Sequence, residues 1–177
     1  MTLREQAVDV AIGSVLFTDL VGFTEYNDAV GDSAAVEVLD EQSRLVAALF
    51  EPGSDARVVK ELGDGLMFWF ADPVQALTVA TGLLDCLATA RHANRFPLSI
   101  RMGMHFGEVV PRGDDFIGHT VNVASRVSDL AGPGELLVSD SVLAATAASG
   151  SVQFDPVGPV RIKGVGEPIW LHRLANS

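Results

Sequence analysis

A short Gly-Asp-Gly segment between two apolar runs constrains the fold of this 177-residue chain more than any other feature. Gly63, Asp64 and Gly65 separate residues 57–62 from residues 66–71, and both runs are strand-like. Asp-Gly between two such runs is a strong β-hairpin signal, so the runs are predicted to pair, with Asp64 in the turn. A tight turn is by itself a sufficient reason for this pair of residues, and that structural interpretation stays open at this point.

A second carboxylate, Asp19, ends another strand-like run over residues 13–19, and the glycine-containing stretch 20–24 then turns the chain out of the strand. A carboxylate on each of two strand-end turns gives the turns a reason to converge, which weakens the interpretation of Asp64 as a turn residue alone. Asp19 and Asp64 therefore form one candidate site.

The remaining hydrophobic pattern predicts an α+β protein. Helical spacing, caps, alternation and turn residues predict a helix over 33–50, a helix from 73 to about 94, a strand over 98–105, a polar loop over 111–116, a helix over 118–130, a strand over 136–139, a helix over 140–148, and strands over about 160–163 and 169–174. With the hairpin, this is the βαββαβ order of a ferredoxin-like core with a small C-terminal α/β extension. One domain is expected over 1–177, with its core at about 13–174.

Composition and charge exclude several classes of function. The formal net charge is −11 and no Lys/Arg cluster is visible, so no nucleic acid partner is expected. The single cysteine, Cys86, leaves no internal disulfide. No apolar run reaches the length of a membrane span and no signal peptide is recognised, so the expected location is the cytoplasm.

Two polar patterns stand apart from the predicted core. Asn122, Arg126 and Asp129 share one stripe of the helix predicted over 118–130, at positions i, i+4 and i+7, although such a stripe also suits a solvent-facing side. His105 belongs to an alternating strand and points away from its methionine face. A single histidine without a partner is interpreted as structural.

Four of these pieces, taken in order, resemble the class III nucleotidyl cyclases. They are the segment 17–24 with Asp19, Lys60 followed by the Gly-Asp-Gly turn, Asp115 seven residues before Asn122, and Arg126 four residues after it. The resemblance covers roughly residues 13 to 174. It implies a ferredoxin-like dimer with active sites at the interface, which converts a nucleoside triphosphate into a 3′,5′-cyclic nucleotide and pyrophosphate.

The resemblance implies that Asp19 and Asp64 bind two divalent cations, Mg²⁺ or Mn²⁺, with the backbone carbonyl of Leu20 as a further metal ligand. Hard oxygen ligands suit these ions, and the ions would lower the pKa of the ribose 3′-hydroxyl. Backbone amides of Phe23 and Thr24 match positions that bind phosphate in the family, a role that loop N–H groups can fill.

Base recognition is implied for Lys60 and Asp115. A lysine ammonium only donates hydrogen bonds and suits adenine N1, whereas a carboxylate only accepts and suits the adenine N6 amino group. Guanine presents the opposite pattern at these positions. The Lys–Asp pair matches the family's adenylyl cyclases, so ATP is the expected substrate.

Catalytic roles are implied for the polar stripe. Arg126 would stabilise charge on the α-phosphate and Asn122 would orient the ribose. Asp129 lies outside the resemblance: its spacing suits holding the Arg126 guanidinium, and it suits a solvent-facing side equally well. Lys163 resembles a family lysine that reaches the triphosphate. The family often has a second basic residue two positions later, where this chain has Val165, and an edge-strand lysine is an equally good interpretation.

The sequence therefore predicts an adenylyl cyclase that works as a homodimer, with a possible regulatory domain outside this chain. A guanylyl cyclase and a catalytically weak nucleotide-binding regulatory domain remain alternatives. A diguanylate cyclase or polymerase-palm relative would share the topology, but the central turn lacks the Gly-Gly-Asp/Glu-Glu-Phe pattern.

Overall fold

A computed structural model of the chain describes residues 9–150 and 152–175. Five helices are interspersed among eight strands in this part of the chain, and the central strands β1 and β4 are the longest. In chain order the elements are β1 (Ala11–Val21), α1 (Phe23–Val30), α2 (Asp32–Ala47), β2 (Arg57–Leu62), β3 (Gly65–Phe70), α3 (Pro73–His92), β4 (Ser99–Arg112), β5 (Asp115–Ile117), α4 (His119–Leu130), β6 (Leu136–Ser139), α5 (Asp140–Thr146), β7 (Phe154–Val160) and β8 (Ile169–Leu174).

All eight described strands belong to one mixed sheet. Seven of them follow the order β2-β3-β1-β4-β6-β8-β7, and β5 pairs with the far end of β4. The β1–β3 and β1–β4 pairings are antiparallel, whereas β6 runs parallel to β4. The predicted α+β class and the ferredoxin-like core are confirmed, and the C-terminal strands β6, β8 and β7 continue the same sheet instead of forming a separate layer.

Helices cover the sheet unequally on its two faces. The larger core combines the inner sides of α2 and α3 with α5 and one face of the central strands, including the fully buried Phe68, Phe70 and Met104. On the opposite face, α4 packs against β1 and β4. Its Val123 and Val127 belong to an apolar cluster with residues of β6 and β8. The helix that carries Asn122 and Arg126 is therefore held on the face that does not contain α3.

α4 lies unusually close to the sheet where it crosses β4. A Cβ atom built on Gly103 would lie 2.0 Å from the backbone nitrogen of Ser128, a distance that no real side chain allows. Glycine is therefore required at this crossing so that the two backbones can touch. The contact fixes how far α4 stands from the strands.

α3 is, within the part of the chain that the structure describes, the one helix long and apolar enough to cross a membrane by composition. Its apolar side chains are used in the core, where Ala76, Leu83 and Leu87 are buried almost completely. Core helices of this kind commonly pass a test based on length and hydropathy alone.

The segment after β1 differs from its prediction. A turn was expected over residues 20–24 and a single helix over 33–50, but β1 continues to Val21, α1 begins at Phe23, and α2 ends at Ala47. Gly31, with φ of 89°, separates the two helices. α1 was missed because it is only eight residues long and buries no residue fully, so its apolar periodicity is short.

Two other boundaries were wrong. The polar loop expected over 111–116 is a hairpin, since β4 runs to Arg112 and Asp115 begins β5. The strand expected at about 160–163 lies earlier, at Phe154–Val160, and residues 161–168 connect it to β8. The prolines of β7, Pro156 and Pro159, had favoured a loop over this segment. They are tolerated because β7 is an edge strand, and its pairing with β8 shifts register between Pro156 and Gly158.

A polar cluster ties β4, β6 and α5 together. His105 faces away from Met104, as predicted, and its Nδ1 lies 2.6 Å from the Ser139 hydroxyl and 3.2 Å from that of Ser141. Burial, together with the nearby His119, lowers the pKa of His105 to about 4. The structural interpretation of His105 fits this setting, in which the imidazole is neutral near pH 7.

His105 should make the stability of the fold depend on pH. In the unfolded chain the pKa of His105 has its ordinary value of 6.5, whereas in the folded chain it is about 4. The contribution of the neutral imidazole to stability is therefore fully present above pH 6.5 and is lost as the pH falls from 6.5 toward 4. Between pH 7.5 and 5, the free energy of unfolding should fall by about 1–2 kcal/mol less in His105→Gln than in the wild type. Urea unfolding of both proteins across this range measures the difference.

His92→Gln is the matched control, because His92 is exposed at the end of α3 and bonds only its own helix at Ala88. That variant should keep the pH slope of the wild type. Parallel pH profiles for wild type and His105→Gln would contradict the assignment of the slope to His105.

Candidate active site

The β2–β3 turn presses against the end of β1 and brings Asp64 beside Asp19. The Leu20 backbone N–H donates a hydrogen bond of 3.0 Å to Oδ2 of Asp64. A Cβ atom on Gly65 would come within 2.8 Å of the Thr18 carbonyl oxygen, so a side chain at this position would push the turn away. The convergence of the two carboxylates expected from the sequence therefore occurs in the fold.

A third charged residue, Arg101, belongs to this site and was missed in the sequence. It lies opposite Asp19 in the β1–β4 pairing. Its Nε donates to Oδ2 of Asp19 at 2.8 Å, and Nη2 lies 2.7 Å from the same oxygen. The sequence contained one usable signal, an arginine at a polar position of the alternating strand, but only the register between β1 and β4 shows that it lies opposite Asp19.

The charges at the turn favour a bound cation. Burial, followed by the nearby Asp19 carboxylate, raises the pKa of Asp64 above its ordinary value, while the bond from Leu20 acts in the opposite direction. A divalent cation between the two carboxylates would offset both unfavourable effects. Along residues 9–150 and 152–175, no group of three or more His, Cys, Asp or Glu side chains could hold a metal ion. The pair therefore fits a metal whose remaining ligands are phosphate oxygens, backbone carbonyls or water.

Lys60 and Asp115 form an ion pair within one chain. Nζ of Lys60 donates to Oδ2 of Asp115 at 2.7 Å, and the Phe116 backbone N–H donates to Oδ1 at 2.8 Å. The bond from Lys60 is the main reason that the pKa of Asp115 lies below its ordinary value. About a third of each side chain is exposed, so one donor and one acceptor stay accessible side by side.

Beside this pair lies an aromatic platform, defined here as Trp69, Phe116 and the guanidinium of Arg57. The two rings stack with centroids 4.9 Å apart, and the Arg57 carbon Cζ lies 4.8 Å from the Phe116 centroid. Such stacking stabilises the ends of β3 and β5 against each other. The platform thereby supports the Asp115 side of the ion pair.

Asn122, Arg126 and Lys163 line one cleft of about 340 Å³ between α4 and the connection from β7 to β8. Lys163 is therefore not on an edge strand, which removes the reason for its alternative interpretation. Val165, at the position where the family often has a second basic residue, packs instead against the apolar cluster beneath α4. Arg126 and Asp129 lie 3.5 Å apart with more than half of each side chain exposed, which is a weak pair.

The two halves of the predicted site are separated within one chain. Asp19 and Arg101 line a small cleft of about 150 Å³ together with Asp129, whereas Arg126 lines the cleft that contains Lys163. Ser125 of α4 borders both clefts. The single chain therefore brings Asp19 and Asp64 together, and Asn122, Arg126 and Lys163 together, but it does not place these two groups in one cavity.

The backbone amides of Phe23 and Thr24 lie at the start of α1, directly after β1. The first backbone bond of the helix runs from the Tyr26 N–H to the Gly22 carbonyl, so the two amides precede it. Free N–H groups at a helix N-terminus favour anions. Leu20 itself is buried at its side chain and available only through its backbone.

The fold is a ferredoxin-like α+β domain with charged groups gathered on the side that carries α4, and comparison with known proteins identifies the family. The family model for the adenylate and guanylate cyclase catalytic domain matches residues 6–174. The chain belongs to this family, which confirms the resemblance seen in its motifs.

Individual relatives agree with this assignment. The pH-sensitive adenylate cyclase MT1302 of Mycobacterium tuberculosis is 33% identical over 167 residues, which cover 93% of this chain and 41% of that protein. The chain thus spans less than half of this relative. The solved adenylyl cyclase CyaB from P. aeruginosa superimposes with a TM-score of 0.82 at 23% identity and 97% coverage of both chains. The non-canonical dimeric guanylyl cyclase domain of the RhoGC fusion protein from Blastocladiella emersonii superimposes with a TM-score of 0.79 at 16% identity, covering 94% of this chain and 97% of that one. At these identities the two structures show the fold alone.

The ion pair gives a prediction that does not depend on substrate. Lys60→Met should raise the pKa of Asp115 toward its ordinary value of 3.8, because the hydrogen bond from Lys60 is the largest effect that lowers it. A carbon-detected NMR titration of the Asp115 carboxyl measures the shift. Arg112→Met is the matched control and should give a smaller rise, since Arg112 acts only through its charge. Equal rises in the two variants would contradict the Lys60–Asp115 hydrogen bond in solution.

Proposed function

We propose that this chain is the catalytic domain of an adenylyl cyclase, which converts ATP into 3′,5′-cyclic AMP and pyrophosphate. The observation that carries the proposal is the contact of the β2–β3 turn with β1, which places Asp64 beside Asp19. Two adjacent carboxylates of which one has a raised pKa suit divalent cations that accompany a triphosphate. The chain's family membership supports the same chemistry.

Asp19, Asp64 and the carbonyl of Leu20 would hold two ions, Mg²⁺ or Mn²⁺. When bound, these ions would lower the pKa of the ribose 3′-hydroxyl and neutralise phosphate charge. Arg101 already offsets the charge of Asp19 from the β4 side. Its position also offers positive charge to the triphosphate, which would explain how so acidic a protein accepts a polyanion.

In the proposed reaction the 3′-oxygen of the ribose attacks the α-phosphorus. The bond from this oxygen to phosphorus forms, the bond from the α-phosphorus to the bridging oxygen breaks, pyrophosphate leaves, and the hydroxyl proton passes to water. Arg126 would donate to the α-phosphate oxygens as charge develops, and Asn122 would orient the ribose one turn earlier on α4. Lys163 shares their cleft and would bind the triphosphate together with the amides of Phe23 and Thr24.

Preference for adenine rests on the Lys60–Asp115 pair. Lys60 would donate to adenine N1, and Asp115 would accept from the N6 amino group. Guanine would leave a donor facing a donor and an acceptor facing an acceptor, at about 1–3 kcal/mol for each mismatched group. The two side chains lie 2.7 Å apart with accessible edges, which fits two neighbouring positions on one base.

A homodimer would complete the site. One chain separates the Asp19 and Arg126 groups into two clefts, so a second copy is the simplest source of the missing half of each site. Two equivalent composite sites would follow from two-fold symmetry. Because the chain covers 41% of its mycobacterial relative, a regulatory domain outside this chain is part of the proposal, as is a cytoplasmic location where ATP is available.

The direct test is the identity of the product. Incubation with Mn-ATP should give cyclic AMP and pyrophosphate in equal amounts, and Mn-GTP should react more slowly. Asp19→Asn and Asp64→Asn should each reduce kcat about a hundredfold or more, since each removes a metal ligand without changing side-chain size. Cyclic GTP as the main product would favour a guanylyl cyclase, and no cyclic nucleotide under any condition would favour a regulatory domain.

The exposed residue Asp85 of α3 offers a matched control, because Asp85→Asn makes the same chemical change away from the β2–β3 turn. This variant should keep wild-type turnover. Activity of Asp19→Asn or Asp64→Asn within tenfold of the control would remove the metal-ligand assignment.

Complementation tests the composite site. Asp19→Ala and Arg126→Ala chains should each be inactive, but their mixture should recover about a quarter of wild-type activity, because about half of the dimers are mixed and each contains one intact site of two. Lys60→Ala mixed with Arg126→Ala should recover nothing, since both changes would fall on the same half of every site. Chain exchange is verified by tagged pull-down, and recovery in the second mixture would show that the shared-site dimer is wrong.

A further inference from the structure

Gln42 is a buried polar residue that the proposed mechanism does not use. It lies on α2 in the stripe that faces the core, between Val38 and Val46, and only 2% of it is exposed. An apolar side chain would satisfy the packing at this position, and a buried amide is costly without a hydrogen-bond partner. Its presence therefore calls for a specific contact.

The contact is made with the β2–β3 turn. Nε2 of Gln42 donates to the backbone carbonyl oxygen of Asp64 at 3.3 Å, across 22 residues of sequence. The turn thereby has three restraints: this bond from α2, the bond from the Leu20 N–H to the Asp64 carboxylate, and the close approach of Gly65 to β1. Of these, only the bond from Gln42 comes from outside the sheet.

We propose that Gln42 is a positioning residue that holds the Asp64 turn in its metal-binding geometry. The proposal rests on the proposed function for its consequence in catalysis, although the restraint on the turn does not. Carboxylate ligands must be held in place if a site is to keep its metal geometry, and the backbone that carries them needs its own hydrogen bonds. Without the donor, the Asp64 carbonyl loses a partner and the turn can move away from β1.

Gln42→Leu removes the donor with an apolar side chain of comparable bulk, and Gln42→His retains a ring N–H of comparable reach. Thr146→Val is the matched control, because Thr146 is a buried residue whose hydroxyl bonds only within α5, to Val142 and Leu143. Each variant is first compared with the wild type by circular dichroism and thermal unfolding. If Gln42→Leu fails to fold, Gln42→Met, which also lacks a donor but is more flexible, takes its place.

The first readout is independent of catalysis. Amide exchange measured by NMR on metal-free protein reports the Leu20 N–H, whose partner is the Asp64 carboxylate. Gln42→Leu should speed this exchange by about five- to tenfold, because one modest hydrogen bond that holds the turn is lost. Exchange in Gln42→His and Thr146→Val should stay within about twofold of the wild type. Exchange in Gln42→Leu equal to that in Thr146→Val overturns the proposal.

The second readout concerns the metal. Mn²⁺ affinity, measured by electron paramagnetic resonance with a non-cyclisable ATP analogue, should weaken about threefold or more in Gln42→Leu and recover in Gln42→His. At saturating Mn²⁺ the KM for ATP should change less than about twofold, because the base and triphosphate contacts are untouched. Faster Leu20 exchange with unchanged Mn²⁺ affinity overturns the positioning role. A wild type that makes no cyclic nucleotide would instead refute the proposed function, and the exchange experiment would still decide whether Gln42 restrains the turn.

Discussion

The contact between the β2–β3 turn and the end of β1 is the interaction on which the site depends. Leu20 donates its backbone N–H to the Asp64 carboxylate, and Gly65 has no side chain to keep the two backbones apart. Asp64 and Asp19 thus lie side by side where β1 ends and β3 begins, although 45 positions separate them in the chain. The pairing of β3 with β1 makes this approach possible, since it ends just before the turn, at Thr18 and Leu66.

Charge balance is the second requirement of this arrangement. Two carboxylates held together, one of them partly buried, would repel each other and lose solvation, as the raised pKa of Asp64 reflects. Arg101 offsets part of this cost from the neighbouring strand β4. The remaining negative charge would attract the divalent cations of the proposed function, and these ions would offset the repulsion between the two carboxylates.

The sheet also determines how far apart the other functional groups lie. α4 rests directly on β4 at Gly103, and this contact sets the height of Asn122 and Arg126 above the strands. Asn122 and Arg126 line the cleft that contains Lys163, whereas Asp19 lines the second, smaller cleft. Ser125 borders both clefts. A proposed second copy of the chain follows from this separation more directly than from any single residue.

Much of this protein could be predicted from the sequence because the strongest signals are local. The Gly-Asp-Gly turn, the Asp-Pro start of α3 and the helical spacing of α4 each act over a few residues, so hydrophobic period and turn chemistry were sufficient to predict them. Local signals were insufficient for α1, which is short and mostly exposed, and for β7, whose prolines are acceptable only because it lies at the sheet edge.

By itself, then, the sequence determined the ferredoxin-like order of elements and the motif residues Asp19, Asp64, Asn122 and Arg126, because residue type and spacing carry that information. Only the tertiary structure decided that Arg101 faces Asp19, that Gln42 reaches the Asp64 carbonyl, and that Lys60 already pairs with Asp115. These contacts join residues 22 to 82 positions apart. Such distances are closed by strand register and by the packing of helices on the sheet, which no local pattern in the chain specifies.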